Sequence, residues 1–377
     1  MQVTIGGAGP AGLYAAILLR RARPDIRLRV LEQNPPDATF GFGVVFSDQA
    51  LDFLSADVPE TVALITPHMK RWKDIAVVHD GERIVIDGVG FSGIGRLEML
   101  KLLQGRAAEL GIRPEYGLRL EPPFGEADLV IGADGLNSAV RASGDFGEEI
   151  TYLNNRFVWY GADREFDALT QTFIDTEFGP MNAHHYAYAP GRATFIIEMT
   201  PDTFARTGFE SMDEPAYRNI CERLFAGTLG GATLIPNNSV WRQFPDLACK
   251  RWHDGNRVLV GDALHTAHFS IGSGTRLALE DVVALVRALE DHGWDVAASL
   301  PAYQGAREPV LRKIVGAARA SARWYENFDR HMKLEPWAFA LSYIRRAGRL
   351  DAARLRAMAP QFAAAAEARG LSLEAAA

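Results

Sequence analysis

Apolar residues fall in short runs separated by glycine and proline along the first forty positions, and their period changes from run to run. Val3 and Ile5 belong to a β-prone run, the stretch from Pro10 carries apolar residues at helical spacing, and Leu28, Val30 and Leu31 form a second run ending at Glu32. Strand, helix and parallel strand follow from that change of period. Breakers cluster at Asn34, Pro35, Pro36 and Asp37, and the glycine-aromatic residues 39–47 read as a loop before a helix at 48–54. Two β-rich runs over 75–86 flank His79-Asp80-Gly81-Glu82, a hairpin signal. Leu97, Leu100, Leu103 and Ala107 share one helical face until Gly111. A buried strand is expected before Asp134, and short alternating segments over 152–241 predict an antiparallel sheet, with a turn at Ala189-Pro190-Gly191-Arg192 and a helix at 214–225. A further buried strand runs into Gly261-Asp262, helices follow at 274–289 and 300–326, and the Ala-rich tail is expected to fray.

The break after the first run carries chemistry. Gly7, Gly9 and Gly12 fit G-x-G-x-x-G, with Pro10 and Ala11 opening the helix whose N–H groups and dipole would face a pyrophosphate. Glu32, followed by Gln33, ends the second strand, where a carboxylate accepts from ribose hydroxyls. The fold class is therefore α/β: a Rossmann-like dinucleotide-binding domain, an inserted antiparallel sheet and C-terminal helices. Later stretches narrow the dinucleotide. Asp134 and Gly135 end a strand, with Arg141 expected as charge partner on the next helical turn. Asp262 can accept from a sugar-alcohol chain, and the helix opened by Gly272 and Gly274 can stabilise negative charge on a reduced flavin ring. That pair suits FAD. Arg96, at a helix mouth, reads either as a solvated first-turn residue or as a phosphate or ribityl contact.

Composition adds exclusions. In 377 residues, 48% hydrophobic and 23% charged, nothing suggests disorder, and a net charge of -7 argues against nucleic acid or an acidic membrane as partner. No apolar run reaches transmembrane length. Cys221 and Cys249 show no metal-ligand spacing and fit a reducing compartment, so a cytoplasmic location is expected. His265 and His268 have tempting spacing, but no Cys or carboxylate cluster completes a site, and no metal is expected.

Together, Gly7/Gly9/Gly12, Asp134-Gly135 and Gly261-Asp262 resemble the motifs of group A flavoprotein aromatic hydroxylases, the para-hydroxybenzoate hydroxylase class, over residues 1 to about 290. The resemblance implies FAD as cofactor and NAD(P)H as co-substrate. Dioxygen would then be delivered to an electron-rich ring through a flavin hydroperoxide. It adds Val44, Val45 and Ile271 to the flavin contacts and makes Arg96 a flavin-contacting arginine. Phe269 stands where the family usually has Pro, and Arg276 where it usually has Asn. The variants H-F-S-I-G-x-G-T, F-G-x-G-V-V-F-S and A-H-x-Y resemble a narrower branch that includes salicyloyl-CoA 5-hydroxylases, anthraniloyl-CoA monooxygenases and the violacein-pathway indole hydroxylase.

The expected FAD domain is 1–66, 92–150 and 247–290, the substrate sheet 67–91 and 151–246, and the helical region 291–377. An aryl-CoA thioester is the favoured substrate, salicyloyl-CoA giving gentisyl-CoA. An indole, a free aromatic acid and a non-catalytic flavin-binding redox sensor remain alternatives, and a homodimer is left open. Residues 291–357 hold twelve Lys or Arg against seven Asp or Glu, which offers Arg345 and Arg346 as CoA phosphate contacts. With a period of two, His184, Tyr186 and Tyr188 share a strand face. His184 and Tyr186, with His268 and Phe269, are the candidate catalytic residues, and the alternative for His184 is a satisfied core histidine.

Overall fold

A computed structural model describes residues 1–348 and 350–374. Its cofactor half is a six-stranded sheet in the order His253–Asp254, Arg257–Leu259, Leu129–Gly132, Gln2–Gly6, Arg27–Glu32, Glu115–Tyr116. Gln2–Gly6 pairs in parallel with Arg27–Glu32 on one side and Leu129–Gly132 on the other. The chain order therefore reverses at the carboxyl end of Gln2–Gly6, the crevice where open α/β sheets bind ligands. Helices Pro10–Ala22, Arg96–Glu109 and Gly274–Asp291 pack beside it through a core that includes Leu13, Leu103 and Leu279.

The second half is a seven-stranded sheet: Leu234–Ile235, Arg156–Ala162, Arg192–Met199, Gly179–Ala189, Leu169–Thr176, Ile75–His79, Glu82–Ile86. Its one parallel pairing joins Leu169–Thr176 to Ile75–His79, so the early hairpin is stitched onto the later sheet. Asp80 and Gly81 both have positive φ, the requirement of a two-residue hairpin turn. One face of this sheet is sealed by Phe209, Tyr217, Cys221 and Phe225 from a helical cover. The other carries Gln171, His184 and Ile196 in register, and turns toward the cofactor half.

Three expectations are corrected. The stretch at 39–47 is not all loop: Gly43–Ser47 is a strand antiparallel to Phe91–Gly95. Its glycines concealed a Val44-Val45-Phe46 run whose β-branched and aromatic side chains favour extended backbone. The tail does not fray within the described residues, because the Pro360–Ala368 helix is capped by Asp87, whose carboxylate accepts from the Gln361 and Phe362 N–H groups, and Phe362, Ala366 and Leu373 are buried. Arg141 does not pair with Asp134, as the next section describes. Helix Val296–Tyr325 packs along Gly274–Asp291 and is bonded to the loop before it, Ser270 to Ser321 at 2.7 Å.

Candidate active site

The glycine turn is built for close approach. A Cβ on Gly12 would lie 1.9 Å from the Gly7 carbonyl oxygen, and Gly7, at φ 93°, would meet Ala133 O at 2.3 Å. Gly9 meets nothing within 4 Å. Two glycines thus fold the turn, while the third leaves its outer side clear for a ligand. Glu32 Oε2 accepts from Ala8 N at 2.8 Å and Oε1 from Asn34 N, which holds the carboxylate at the mouth of the turn. The cleft above is lined by Gly9, Pro10, Glu32, Val44, Arg96 and Thr275, and also by Asn34, Gln104 and Tyr116, which sequence reasoning missed. Gln33 is exposed and Asn34 takes its expected place. Asn34 could have been found, since it follows the strand-end acid by two positions. Gln104 and Tyr116 come from separate elements and give no local signal.

Arg96 opens its helix with its guanidinium 5.9 Å from the Trp159 ring centre. Burial lowers its pKa and the Asp262 charge opposes this, while burial raises the Asp262 pKa against the pull of Arg96 and His265. Arg96, at the helix mouth lining the cleft, and the exposed Asp262 are thus close enough to feel each other's charge. Gly272 is left-handed, Ile271 ends a short turn before it, and Gly274 opens its helix with nothing within 4 Å of an added Cβ. Asp134 Oδ2 accepts from Ala139 N at 2.7 Å, and its Oδ1 is buried without a partner beside left-handed Gly135. Arg141 instead reaches Glu148, Leu136 O and, at 2.9 Å, Ala263 O, tying the Asp134 motif to the Gly261-Asp262 motif. It makes no bond to Asp134 because its N–H groups are directed to those three acceptors instead.

These features fit a flavin dinucleotide: open space at Gly9, an unpartnered Asp134 oxygen, Glu32 at the mouth of the turn and opposite charges at Arg96 and Asp262. FAD held there would supply hydride acceptance from NAD(P)H and activation of dioxygen.

The facing sheet supplies the other wall. Tyr186 donates to Gly43 O at 2.8 Å and Gly43 N donates to Thr194 Oγ1 at 2.9 Å, so the flavin loop is pinned to the sheet. Val45 lies against Gly272 from the opposite loop. Deeper in, His184 is 4% exposed, 5.5 Å from the Tyr186 ring, with both ring nitrogens buried and unpartnered. Burial, with help from the Arg346 charge, lowers its pKa to about 3. His268 is also lowered to about 3, by burial and by the charges of His184 and Arg346. Its Nδ1 accepts from Ser270 N at 3.4 Å, and Phe269 packs between Phe157, tilted against it, and Phe244, edge-on to it. Gln171, directly opposite His184 in register, accepts from Tyr325 OH at 3.0 Å and leaves its amide nitrogen unpartnered. Gln171 was missed because its strand looked like any other half-buried alternation.

Two expectations shift here. Arg345 and Arg346 are half-buried rather than on an open helix face: Arg345 is spent on Leu373 O, and Arg346 donates to Tyr343 O and Ser270 O, each at 2.9 Å. The Arg276 side chain pairs with Glu280 in a buried network. Among the described residues no group of three or more His, Cys, Asp or Glu could hold a metal ion, and no helix is long and apolar enough to cross a membrane.

The family described as FAD binding domain matches residues 125–318. A salicyloyl-CoA 5-hydroxylase from a Streptomyces species is 38% identical over 92% of this chain and 70% of its own length. The chain belongs to the FAD-dependent aromatic monooxygenases. A 3-hydroxy-4-methyl-anthranilyl-[aryl-carrier protein] 5-monooxygenase from Streptosporangium sibiricum is 35% identical over 86% of this chain and 89% of the relative. The fold is that of 2-methyl-3-hydroxypyridine-5-carboxylic acid oxygenase, with a TM-score of 0.70 at 18% identity over 92% of this chain and 95% of the other. As in this family of flavoprotein hydroxylases, FAD is the cofactor and NAD(P)H the co-substrate.

Proposed function

We propose that this monooxygenase hydroxylates a salicyloyl thioester para to its phenol, salicyloyl-CoA being the best candidate. Salicyloyl-CoA, O2, NAD(P)H and a proton would give gentisyl-CoA, NAD(P)+ and water. The observation that carries the reading is His184, whose two nitrogens are buried without a partner on the sheet face opposite the flavin loop. Buried polar atoms are nearly always satisfied, so orphans on the sheet face turned toward the cofactor half point to where a ligand's own polar group belongs. With its pKa near 3 the imidazole is neutral at pH 7, so one nitrogen can accept from a substrate hydroxyl. That bond draws electron density toward the ring carbon para to the hydroxyl. Tyr186 would support the ring edge, while Phe269 and His268 close the far side and exclude water. The carrier arm would leave through an open groove of about 660 Å³ lined by Phe42, His68, Lys101 and Tyr188. Two relatives whose names specify aryl thioesters favour such an arm over a free acid.

The test is product mass spectrometry with a panel of aryl-CoA thioesters and the matching free acids. A gain of one oxygen on salicyloyl-CoA, with NAD(P)H consumed in equal amount, is the expected result. Turnover confined to free acids or indoles would overturn the thioester reading.

A further inference from the structure

Arg346 sits just past the Pro336–Arg345 helix, and its position is set by three interactions. Nη1 donates to Tyr343 O and Nη2 to Ser270 O, both at 2.9 Å, and the guanidinium carbon lies 3.7 Å from the Tyr343 ring centre. Those contacts fix the plane of the guanidinium while using two of its five N–H bonds. Nε is buried with no acceptor, and among the described residues no carboxylate lies within ion-pair distance. A half-buried, immobilised cation without a counter-charge is costly unless an anion arrives to meet it.

The groups around it do not supply that anion. His184 on the sheet and His268 on the flavin loop both feel its charge and are neutral. Tyr325 on the long helix also feels its charge, and burial holds that phenol protonated. Glu198, on the same sheet face, has its pKa raised to about 8 by burial and is largely protonated at pH 7. The nearby wall thus presents a fixed positive charge beside two neutral hydrogen-bond acceptors.

We propose that Arg346 is a specificity-determining residue that receives the ring oxygen of the substrate after its hydroxyl has released a proton to solvent, selecting a hydroxyl-bearing aromatic ring over its amino-bearing isostere. An aryl hydroxyl has an ordinary pKa near 10, and an adjacent cation lowers such a group by about 1–3 units, toward the working range. An aryl amine has no accessible anionic form, so it gains nothing from the same cation. His184 does not make this distinction, because a neutral imidazole can accept from O–H or N–H through its bare nitrogen and donate to an ionised oxygen through its N–H. The inference deepens the proposed function by choosing between the two activating substituents, and it rests on the His184 wall being the substrate site.

The test compares ring pairs differing only in that substituent, titrated into FAD-loaded protein at pH 8 and read by perturbation of flavin absorbance: 2-hydroxybenzoyl-CoA with 2-aminobenzoyl-CoA, and 2-hydroxybenzamide with 2-aminobenzamide. Wild type is expected to favour the hydroxyl member at least tenfold. Arg346→Met should bring the ratio to within threefold through loss of the hydroxyl ligand alone, with Arg346→Lys recovering part of it. Circular dichroism and FAD content establish that both variants are folded. Equal affinity for the two members in wild type, or equal weakening of both in Arg346→Met, overturns the proposal while leaving a bound thioester standing. Should only the amides bind, with Arg346-dependent selectivity, the thioester reading fails and this inference survives. Failure of both scaffolds to bind overturns both.

Discussion

The two walls of the candidate site differ in how they balance buried charge. Behind the flavin loops, Asp281 accepts from Gly261 N, meets His265 Nε2 at 2.7 Å and pairs with Arg307 at 2.9 Å, while Glu280 pairs with Arg276 and Arg307. Each of these five largely buried side chains has an ionic or hydrogen-bonding partner among the others, although His265 Nδ1 and Glu280 Oε2 make no hydrogen bond. Across the cleft, His184, Gln171, Glu198 and Arg346 are buried or half-buried, and each leaves a polar atom without one. The first arrangement matches each charge with an opposite one and holds shape. The second leaves Arg346 without a counter-charge and its neutral groups short of partners.

The contrast breaks most sharply at Asp281. Burial pushes its pKa up, but the charges of His265 and Arg307 outweigh this and leave it below the usual carboxylate range. Asp281→Ala leaves Arg307 with Glu280 alone, removes the partner of His265 and frees the Gly261 loop, so we expect a loss of about 3–5 kcal/mol in chemical denaturation and a protein purified largely without FAD. A variant that kept its stability and its yellow colour would show that the network is ornamental.

On the substrate wall the same kind of change has the opposite sign. Glu198 accepts from Asn155 at 2.8 Å through one oxygen, the other being unpartnered, and its pKa is raised to about 8. A carboxyl raised in the folded state binds a proton that the unfolded chain releases above its ordinary pKa, so stability falls as pH rises from about 4.5 to 8. Glu198→Gln is expected to be neutral at pH 4.5 and stabilising by a few kcal/mol at pH 8, roughly 1.4 kcal/mol per pH unit crossed. Melting curves at the two pH values decide it, and equal shifts at both would contradict a buried neutral acid.

A smaller effect separates the glycines of the turn. Gly9→Ala places a methyl in open space, so the fold should be kept while FAD affinity falls about tenfold or more, because the methyl occupies the approach to the pyrophosphate. Gly12→Ala meets a carbonyl at 1.9 Å and should lose both. Equilibrium dialysis of FAD with folded Gly9→Ala is the measurement, and undiminished affinity would remove Gly9 from the cradle.

How much of this was legible in the chain follows the same division. The cofactor wall is local in sequence: a strand end, its glycines and the helix after it lie within a dozen residues, so Gly7, Glu32, Asp134 and Asp262 announce themselves. The facing wall joins a hairpin, in which Gln171 pairs with His184, to helices more than a hundred residues further on. Period two put His184, Tyr186 and Tyr188 on one face, but alternation alone does not single out Gln171, and nothing local says that Arg346 turns inward to Ser270. A run of basic residues looks solvated until tertiary contacts bend two of its members toward carbonyl oxygens.

The smallest expected change in stability falls on the residue with the largest expected consequence for chemistry. At pH 7 an unfolded histidine is mostly neutral, as His184 is in the fold, so there is no protonation difference to lose, and His184→Ala should alter stability by only about 1 kcal/mol, lost packing being offset by removal of two desolvated nitrogens. Below pH 6.5 the unfolded histidine gains a proton that the folded one, at about 3, refuses, so wild type loses stability as pH falls through that interval. The variant should lose less, by roughly 2 kcal/mol at pH 5. Function is expected to respond differently. The variant should keep FAD and substrate-stimulated NAD(P)H oxidation while releasing hydrogen peroxide in place of hydroxylated product, because the ring is no longer held by its hydroxyl. Peroxide and product measured together in one reaction give the coupling ratio, and an unchanged ratio in a folded, FAD-replete His184→Ala protein would return His184 to the role of a core residue.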